Sequence, residues 1–120
     1  MPARARRVRL WSAAVALAAL LAYLPALGND FVNWDDLHYV VKNPIAQRLS
    51  PEGVRWAFTA IHQGNWHPLT WLSHMLDGTL FGLDARGHHA TSVLLHALNA
   101  ALLLGALHTL TGDLAPSGTM

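Results

Sequence analysis

The sequence predicts an all-α membrane protein in which two transmembrane helices flank a long extracytoplasmic loop that carries short amphipathic surface helices. Only 12% of the 120 residues are charged and 52% are hydrophobic, whereas an average soluble domain carries about 25% charged residues. Two long segments contain no charged residue, and the loop between them has apolar residues at helical spacing. The chain has no cysteine, so a disulfide framework and thiolate chemistry are both excluded.

The first predicted transmembrane helix covers residues 10–28 and follows a basic N-terminus at residues 1–9. About 20 helical residues cross a hydrocarbon core about 30 Å thick. Half of the basic residues lie in the first nine positions, namely Arg4, Arg6, Arg7 and Arg9. Because basic flanks favour the cytoplasmic side, we expect an integral inner or plasma membrane protein with a cytoplasmic N-terminus and an extracytoplasmic loop. Pro25 is expected to kink or end this helix.

A cleaved signal peptide is the alternative interpretation of the same segment. It has a basic start, an apolar stretch and, in Ala26-Leu27-Gly28, a small-x-small sequence that fits a cleavage site. The apolar run exceeds the roughly 7–15 residues of a signal core, which favours a retained helix. Both interpretations place the residues that follow on the same side of the membrane.

The second predicted transmembrane helix covers residues 88–110 and has one polar stripe. The stripe consists of His89, Ser92, His96 and Asn99, at helical spacing. Polar groups are costly in lipid unless they face protein or water, so we expect this helix to pack among other helices. Two helices cannot satisfy such a stripe alone. We therefore expect residues 111–120 to begin a cytoplasmic loop and the chain to be a piece of a larger multi-span protein.

The loop at residues 29–87 contains two predicted amphipathic helices. Ser50-Pro51-Glu52 has the pattern of a helix start, and His67-Pro68 begins a second helix. Val54, Ala57, Phe58 and Ile61 form an apolar face on the first helix, and Leu69, Leu72, Met75 and Leu76 form one on the second. We expect both helices to lie along the membrane surface, with tryptophans at headgroup depth. A water-soluble cap packed on itself is the alternative.

Two adjacent aspartates, Asp35 and Asp36, follow the first predicted transmembrane helix. Carboxylates at this position are candidates for proton transfer or for binding a divalent cation, although ordinary loop residues would look the same. The loop also has several histidines, and Asp77 follows His74 by three residues, but no strong zinc signature appears. A basic stripe for nucleic acid is missing, as are a glycine-rich phosphate loop and a serine nucleophile motif.

Several blocks of the loop, in order, resemble a known family. They are Phe31-Val32-Asn33-Trp34-Asp35-Asp36, Asn43-Pro44, Trp66-His67-Pro68-Leu69-Thr70-Trp71-Leu72, Phe81-Gly82-Leu83 and Gly87-His88-His89. Together they resemble the N-terminal part of the membrane C-type glycosyltransferases, and most of all the protein O-mannosyltransferase-like proteins that carry tetratricopeptide repeats. The resemblance runs from about Asn29 to Asn99, which is more than half of the chain.

The resemblance implies a fragment of a multi-span C-type glycosyltransferase fold. Such an enzyme transfers a sugar, here expected to be mannose-like, from a polyprenyl-phosphate carrier in the membrane lipid to a hydroxyl of a protein or glycan acceptor. The resemblance gives the catalytic role to Asp35 and Asp36 and leaves open whether they also bind a divalent cation. It implies carrier or substrate contact for His67, Pro68, Thr70, His88 and His89. The fragment alone is expected to be inactive.

The side chains of adjacent residues on a regular helix or strand point apart, so only one of the two aspartates need be catalytic. A non-catalytic, membrane-anchored interaction or assembly protein is the alternative function, in which the aspartates cap a turn and the aromatic residues anchor an interface. A transporter or polymer-export subunit is a third hypothesis, and it requires charged residues within further membrane spans.

Overall fold

The computed structural model describes residues 2–112, and within that range every regular element is helical. The four α-helices are α1 (Pro2–Tyr23), α2 (Pro51–Thr59), α3 (Pro68–Phe81) and α4 (Ala85–Thr111). Short helical turns lie at Leu24–Gly28, Leu37–Val41 and Pro44–Ala46. The predicted all-α class is confirmed. The expected cytoplasmic loop at residues 111–120 falls almost entirely outside the described residues.

The chain divides into two units, of which one combines the described parts of Met1–Pro25 and Ser92–Met120 and the other is Ala26–Thr91. Two helical stretches are long and apolar enough to cross a membrane, Pro2–Gly28 with a mean hydropathy of 1.9 and Ala85–Thr111 with 1.7. In the most apolar 18-residue stretch of each helix, 0% is buried in the first and 11% in the second. The core helix of a soluble protein would be mostly buried, so these helices have the exposure and composition of membrane spans.

The helices that contain the two predicted spans extend beyond them at their N-terminal ends. The first helix starts at Pro2 and therefore includes the arginine-rich N-terminus before residue 10, and α4 starts at Ala85, before the predicted span at residue 88. Proline is favoured in the first turn of a helix, which explains the early start of α1. The helix ends at Tyr23, two residues before Pro25, because a proline removes a backbone donor and restricts the residue before it.

Within the first unit, the polar stripe of α4 contacts α1. The His96 ring packs edge-on against the Tyr23 ring, with centroids 4.8 Å apart. Val93 and Ala97 are buried near this contact. A small residue such as Ala97 lets neighbouring helices approach closely, and the stripe is thus part of a helix–helix contact.

The core of the second unit forms around α3. Trp71 and Met75 are fully buried against Ala46 and Ala57, and the Trp71 ring lies 5.1 Å from that of Trp56, centroid to centroid. A buried tryptophan contributes about 150–250 Å² of contact area, so Trp71 dominates this small core.

The helix starts are as predicted. Ser50 caps α2, because its Oγ accepts a hydrogen bond of 2.9 Å from the backbone N–H of Gly53. Pro68 lies in the first turn of α3, with His67 at the N-cap position.

The apolar faces predicted for α2 and α3 are buried inside the protein only in part. In α2 the buried residues are Gly53 and Ala57, and in α3 they include Trp71, Met75 and Gly78. Most of the remaining large apolar residues of the predicted faces are exposed, namely Val54, Phe58, Leu69 and Leu76, together with Ile61 just beyond the end of α2.

Small residues explain which positions of α2 and α3 are buried inside the protein. A side chain at Gly78 would overlap the Gln47 backbone, and one at Gly53 would lie 3.0 Å from the Met75 sulfur. The elements therefore pack through glycine and alanine, and the large aliphatic side chains face outward.

Candidate functional site

The acidic pair lies just before the helical turn Leu37–Val41, and its two carboxylates have different surroundings. Asp36 is partly buried, and its Oδ2 accepts a 3.0 Å hydrogen bond from the backbone N–H of Val32. Asp35 is exposed. The hydrogen bond to Asp36 therefore fixes the segment from Val32 to the start of the turn. The carboxylate of Asp35 is accessible to an external molecule.

A second group of chemically capable side chains joins α3 to the start of α4. His74 and Asp77 lie three residues apart on α3, which places them side by side, and His88 comes from the first turn of α4. One nitrogen or oxygen ligand atom from each residue lies within 4.8 Å of those of the other two. Asp77 and His88 are buried, with 4% and 6% exposed surface, and His74 is partly buried. This set is called the His–Asp–His cluster below.

The turn at Gly82 brings α4 back against α3. Gly82 has a φ of +61°, a conformation that side chains disfavour and glycine accepts. Its carbonyl oxygen lies 2.8 Å from Nε2 of His88. Because a carbonyl can only accept, Nε2 carries the proton, and a neutral His88 ring then has its lone pair on Nδ1.

Both oxygens of the Asp77 carboxylate face residues at the start of α4. The Thr91 hydroxyl donates a 2.6 Å hydrogen bond to Oδ1. The other oxygen, Oδ2, lies 3.9 Å from Nδ1 of His88, which is longer than a hydrogen bond. The carboxylate is thus fixed on one side by Thr91 and faces an imidazole on the other.

Burial lowers the pKa of His74 below its ordinary value of 6.5, and the nearby carboxylates of Asp77 and Asp36 act in the opposite direction. His88 and His67 lower this pKa further. His74 is therefore neutral at pH 7, with a ring lone pair available for a ligand. The influence of Asp36 also places the acidic pair within electrostatic reach of the His–Asp–His cluster.

The structure places the sequence-predicted site residues in three separate locations. Asp35 and Asp36 lie at the turn, and His67, Pro68 and Thr70 lie at the start of α3. His67 belongs to an aromatic cluster, with its ring centroid 5.0 Å from that of Trp71. Thr70 is exposed on the first turn of α3.

His88 and His89, at the start of α4, both pack against the Phe31 ring but have different polar partners. His88 faces the His–Asp–His cluster, whereas Nε2 of His89 lies 3.4 Å from the carbonyl oxygen of Asp30. Consecutive helical side chains diverge by about 100°, so adjacent histidines seldom share one site.

Sequence reasoning did not assign His74 and Asp77 to the site, although their spacing of three residues was visible. The missing information was the third member, because His88 reaches them only through the turn at Gly82. Among the described residues, His74, Asp77 and His88 are a set of three potential metal ligands close enough to share one ion, and the acidic pair is not part of it.

Comparisons of the chain with protein-family models, curated proteins and solved structures return no match. Among the described residues, the chain is all-helical, with two long apolar helices, an exposed Asp35 beside a partly buried Asp36, and the His–Asp–His cluster.

Proposed function

We propose that this chain is the N-terminal part of a membrane glycosyltransferase that moves a mannose-like sugar from a polyprenyl-phosphate carrier to an acceptor hydroxyl on the extracytoplasmic side. The observation that carries the proposal is the ordered set of sequence blocks between Asn29 and Asn99 that resembles the membrane C-type glycosyltransferases. The acidic pair in the first of these blocks follows a helix long and apolar enough to cross a membrane, which supports the same function.

Sugar transfer to a hydroxyl needs a group that accepts the hydroxyl proton. In our proposal the Asp35 carboxylate accepts this proton while the hydroxyl oxygen forms a bond to the anomeric carbon of the sugar. The bond between that carbon and the carrier phosphate oxygen breaks, and polyprenyl phosphate leaves with the electron pair. The exposure of Asp35 supports this role, since an acceptor must reach the base.

Asp36 is the proposed positioning residue. Its hydrogen bond to the Val32 backbone fixes the chain just before Asp35, so Asp36 acts by orienting its neighbour. An amide at this position can still accept the same hydrogen bond, and Asp36→Asn should therefore retain more transfer activity than Asp35→Asn.

The exposed apolar side chains of α2 and α3, and of Ile61 just after α2, support a location against lipid. Phe58, Ile61 and Leu69 are 50%, 75% and 76% exposed. Apolar side chains at the surface of an amphipathic helix favour burial in the headgroup and acyl boundary. A lipid-linked sugar is presented at this same boundary, so the unit that carries Asp35 would meet its donor there.

The proposal is tested by the transfer of radiolabelled mannose from polyprenyl phosphate to an acceptor, with the full-length protein in liposomes. A general base contributes about 10²–10⁴-fold, so we expect Asp35→Asn to lower kcat by at least about 100-fold. Glu52→Gln is the matched control, since Glu52 is an exposed acid in the first turn of α2, and its activity should equal that of the wild type. Normal transfer by Asp35→Asn, with folding retained, would refute the catalytic role of Asp35.

A further inference from the structure

We propose that His74, Asp77 and His88 bind one divalent transition-metal ion, with zinc as the ion that best fits the donor set. This site goes beyond the proposed glycosyl transfer and does not involve Asp35 or Asp36. The ion would link α3 to the start of α4 across the turn at Gly82. The proposal rests on the donor atoms, their spacing and the groups that hold them.

The donor set selects the class of metal ion. Two imidazole nitrogens and one carboxylate oxygen are the ligands of zinc sites that keep a fourth position open for water or substrate. Magnesium and calcium take oxygen ligands almost exclusively, so two imidazoles disfavour them. Iron(II) shares the two-histidine, one-carboxylate preference and is the main competitor.

The spacing of the three residues fits a common ion after a small rotation of side chains. Zinc bonds of about 2.0–2.2 Å in a tetrahedron place ligand atoms about 3.4 Å apart. Oδ2 of Asp77 and Nδ1 of His88 are 3.9 Å apart, and all three ligand atoms lie within 4.8 Å of one another. The ligand atoms would therefore have to approach one another by at most about 1.4 Å to share one zinc ion.

The surrounding hydrogen bonds orient two of the ligands toward one another. Metal-binding histidines commonly donate their second N–H to a carbonyl or carboxylate, and ligating carboxylates are themselves hydrogen-bonded. The Gly82 carbonyl accepts a hydrogen bond from Nε2–H of His88, so Nδ1 is the ring nitrogen that faces Asp77 and would bind the ion. The Thr91 hydroxyl holds Oδ1 of Asp77, which leaves Oδ2.

Burial gives a further reason for a cation at this position. The Asp77 side chain is almost completely buried, and a buried carboxylate is costly unless charge or hydrogen bonds compensate it. Thr91 supplies one hydrogen bond. An ion between Asp77 and the two imidazoles would supply the positive charge. The competing arrangement is an ion pair in which His88 carries a second proton and no metal binds.

The experiment measures metal binding by the tag-free full chain in detergent micelles after treatment with a chelator. We expect one zinc ion per chain by elemental analysis after gel filtration, and Co²⁺ should give the visible absorption of a four-coordinate site. Asp77→Asn and His88→Gln should abolish this binding. Thr91→Val should weaken it by about 10-fold, as expected for the loss of a group that orients a ligand.

Two control variants separate the site from general effects of charge and histidine content. Asp84→Asn removes an exposed carboxylate just before α4, and His38→Gln removes an exposed histidine of the same unit. Both should bind zinc as the wild type does. Iron(II) binding that excludes zinc would overturn the choice of ion, and a wild type that binds no transition metal would overturn the site.

A second readout needs no variant. A metal that binds only the folded state raises the unfolding midpoint, and the stabilisation grows with the logarithm of its concentration relative to Kd. Zinc should therefore raise the midpoint of the metal-free wild type, and the same concentration of magnesium should not. An unchanged midpoint with saturating zinc would contradict the proposal, as would equal zinc binding by wild type and Asp77→Asn.

Discussion

At the scale of single residues, the two adjacent aspartates show how local contacts divide roles that the sequence leaves equal. Asp36 accepts a hydrogen bond from Val32 and lies within electrostatic reach of His74. Asp35 is exposed. A pair of identical residues in the sequence thus becomes one positioning residue and one accessible carboxylate in our proposal.

Gly78 gives a prediction at the same scale. A methyl group there would overlap the carbonyl of Gln47, whereas the same group at Gly105 of α4 meets nothing within 4 Å. We expect Gly78→Ala to destabilise the second unit by about 1–3 kcal/mol, the usual cost of overpacking. The midpoint of thermal unfolding in micelles measures this change.

Gly105→Ala is the matched control, because both glycines lie inside helices. Alanine is favoured over glycine in a helix by up to about 1 kcal/mol, so this variant should be neutral or slightly more stable. Equal effects at the two positions would show that the close contact between Gly78 and Gln47 is absent.

At the scale of helices, the signals for where an element begins proved more informative than those for which side it buries. The Ser50 cap and the Pro68 start were predictable because each depends on a few neighbouring residues. The positions that pack inside the protein were less predictable, because Gly53 and Gly78 allow close packing without adding to hydrophobic periodicity. The His–Asp–His cluster was likewise unpredictable as a set, since His88 reaches α3 only through the turn at Gly82.

The Ser50 cap gives a prediction for α2. Ser50→Ala removes the oxygen that accepts the Gly53 N–H and should destabilise the second unit by about 1 kcal/mol. Ser50→Asp should retain the cap, since aspartate accepts the same hydrogen bond. Chemical denaturation of the two variants in micelles compares them, and equal stability of Ser50→Ala and wild type would mean that the cap contributes nothing.

At the scale of the whole molecule, the chain has two long helices with little buried surface, and the unit Ala26–Thr91 has its own aromatic core. The all-α class and the two apolar helices followed from composition and charge distribution. The orientation in the membrane stays a prediction from the N-terminal arginines.

The absence of cysteine makes this orientation directly measurable with single introduced thiols. In intact spheroplasts, a membrane-impermeant maleimide should label Thr59→Cys in the exposed part of α2. It should label Ala3→Cys only after permeabilisation. The reverse pattern would place the acidic pair on the cytoplasmic side and contradict the proposed extracytoplasmic transfer.

The most direct test of the central claim is the rate of mannose transfer from polyprenyl phosphate by the full-length protein, compared between wild type and Asp35→Asn. Our account predicts measurable transfer by the wild type and by Glu52→Gln, and a loss of at least about 100-fold in kcat for Asp35→Asn. A wild-type rate in folded Asp35→Asn would contradict it.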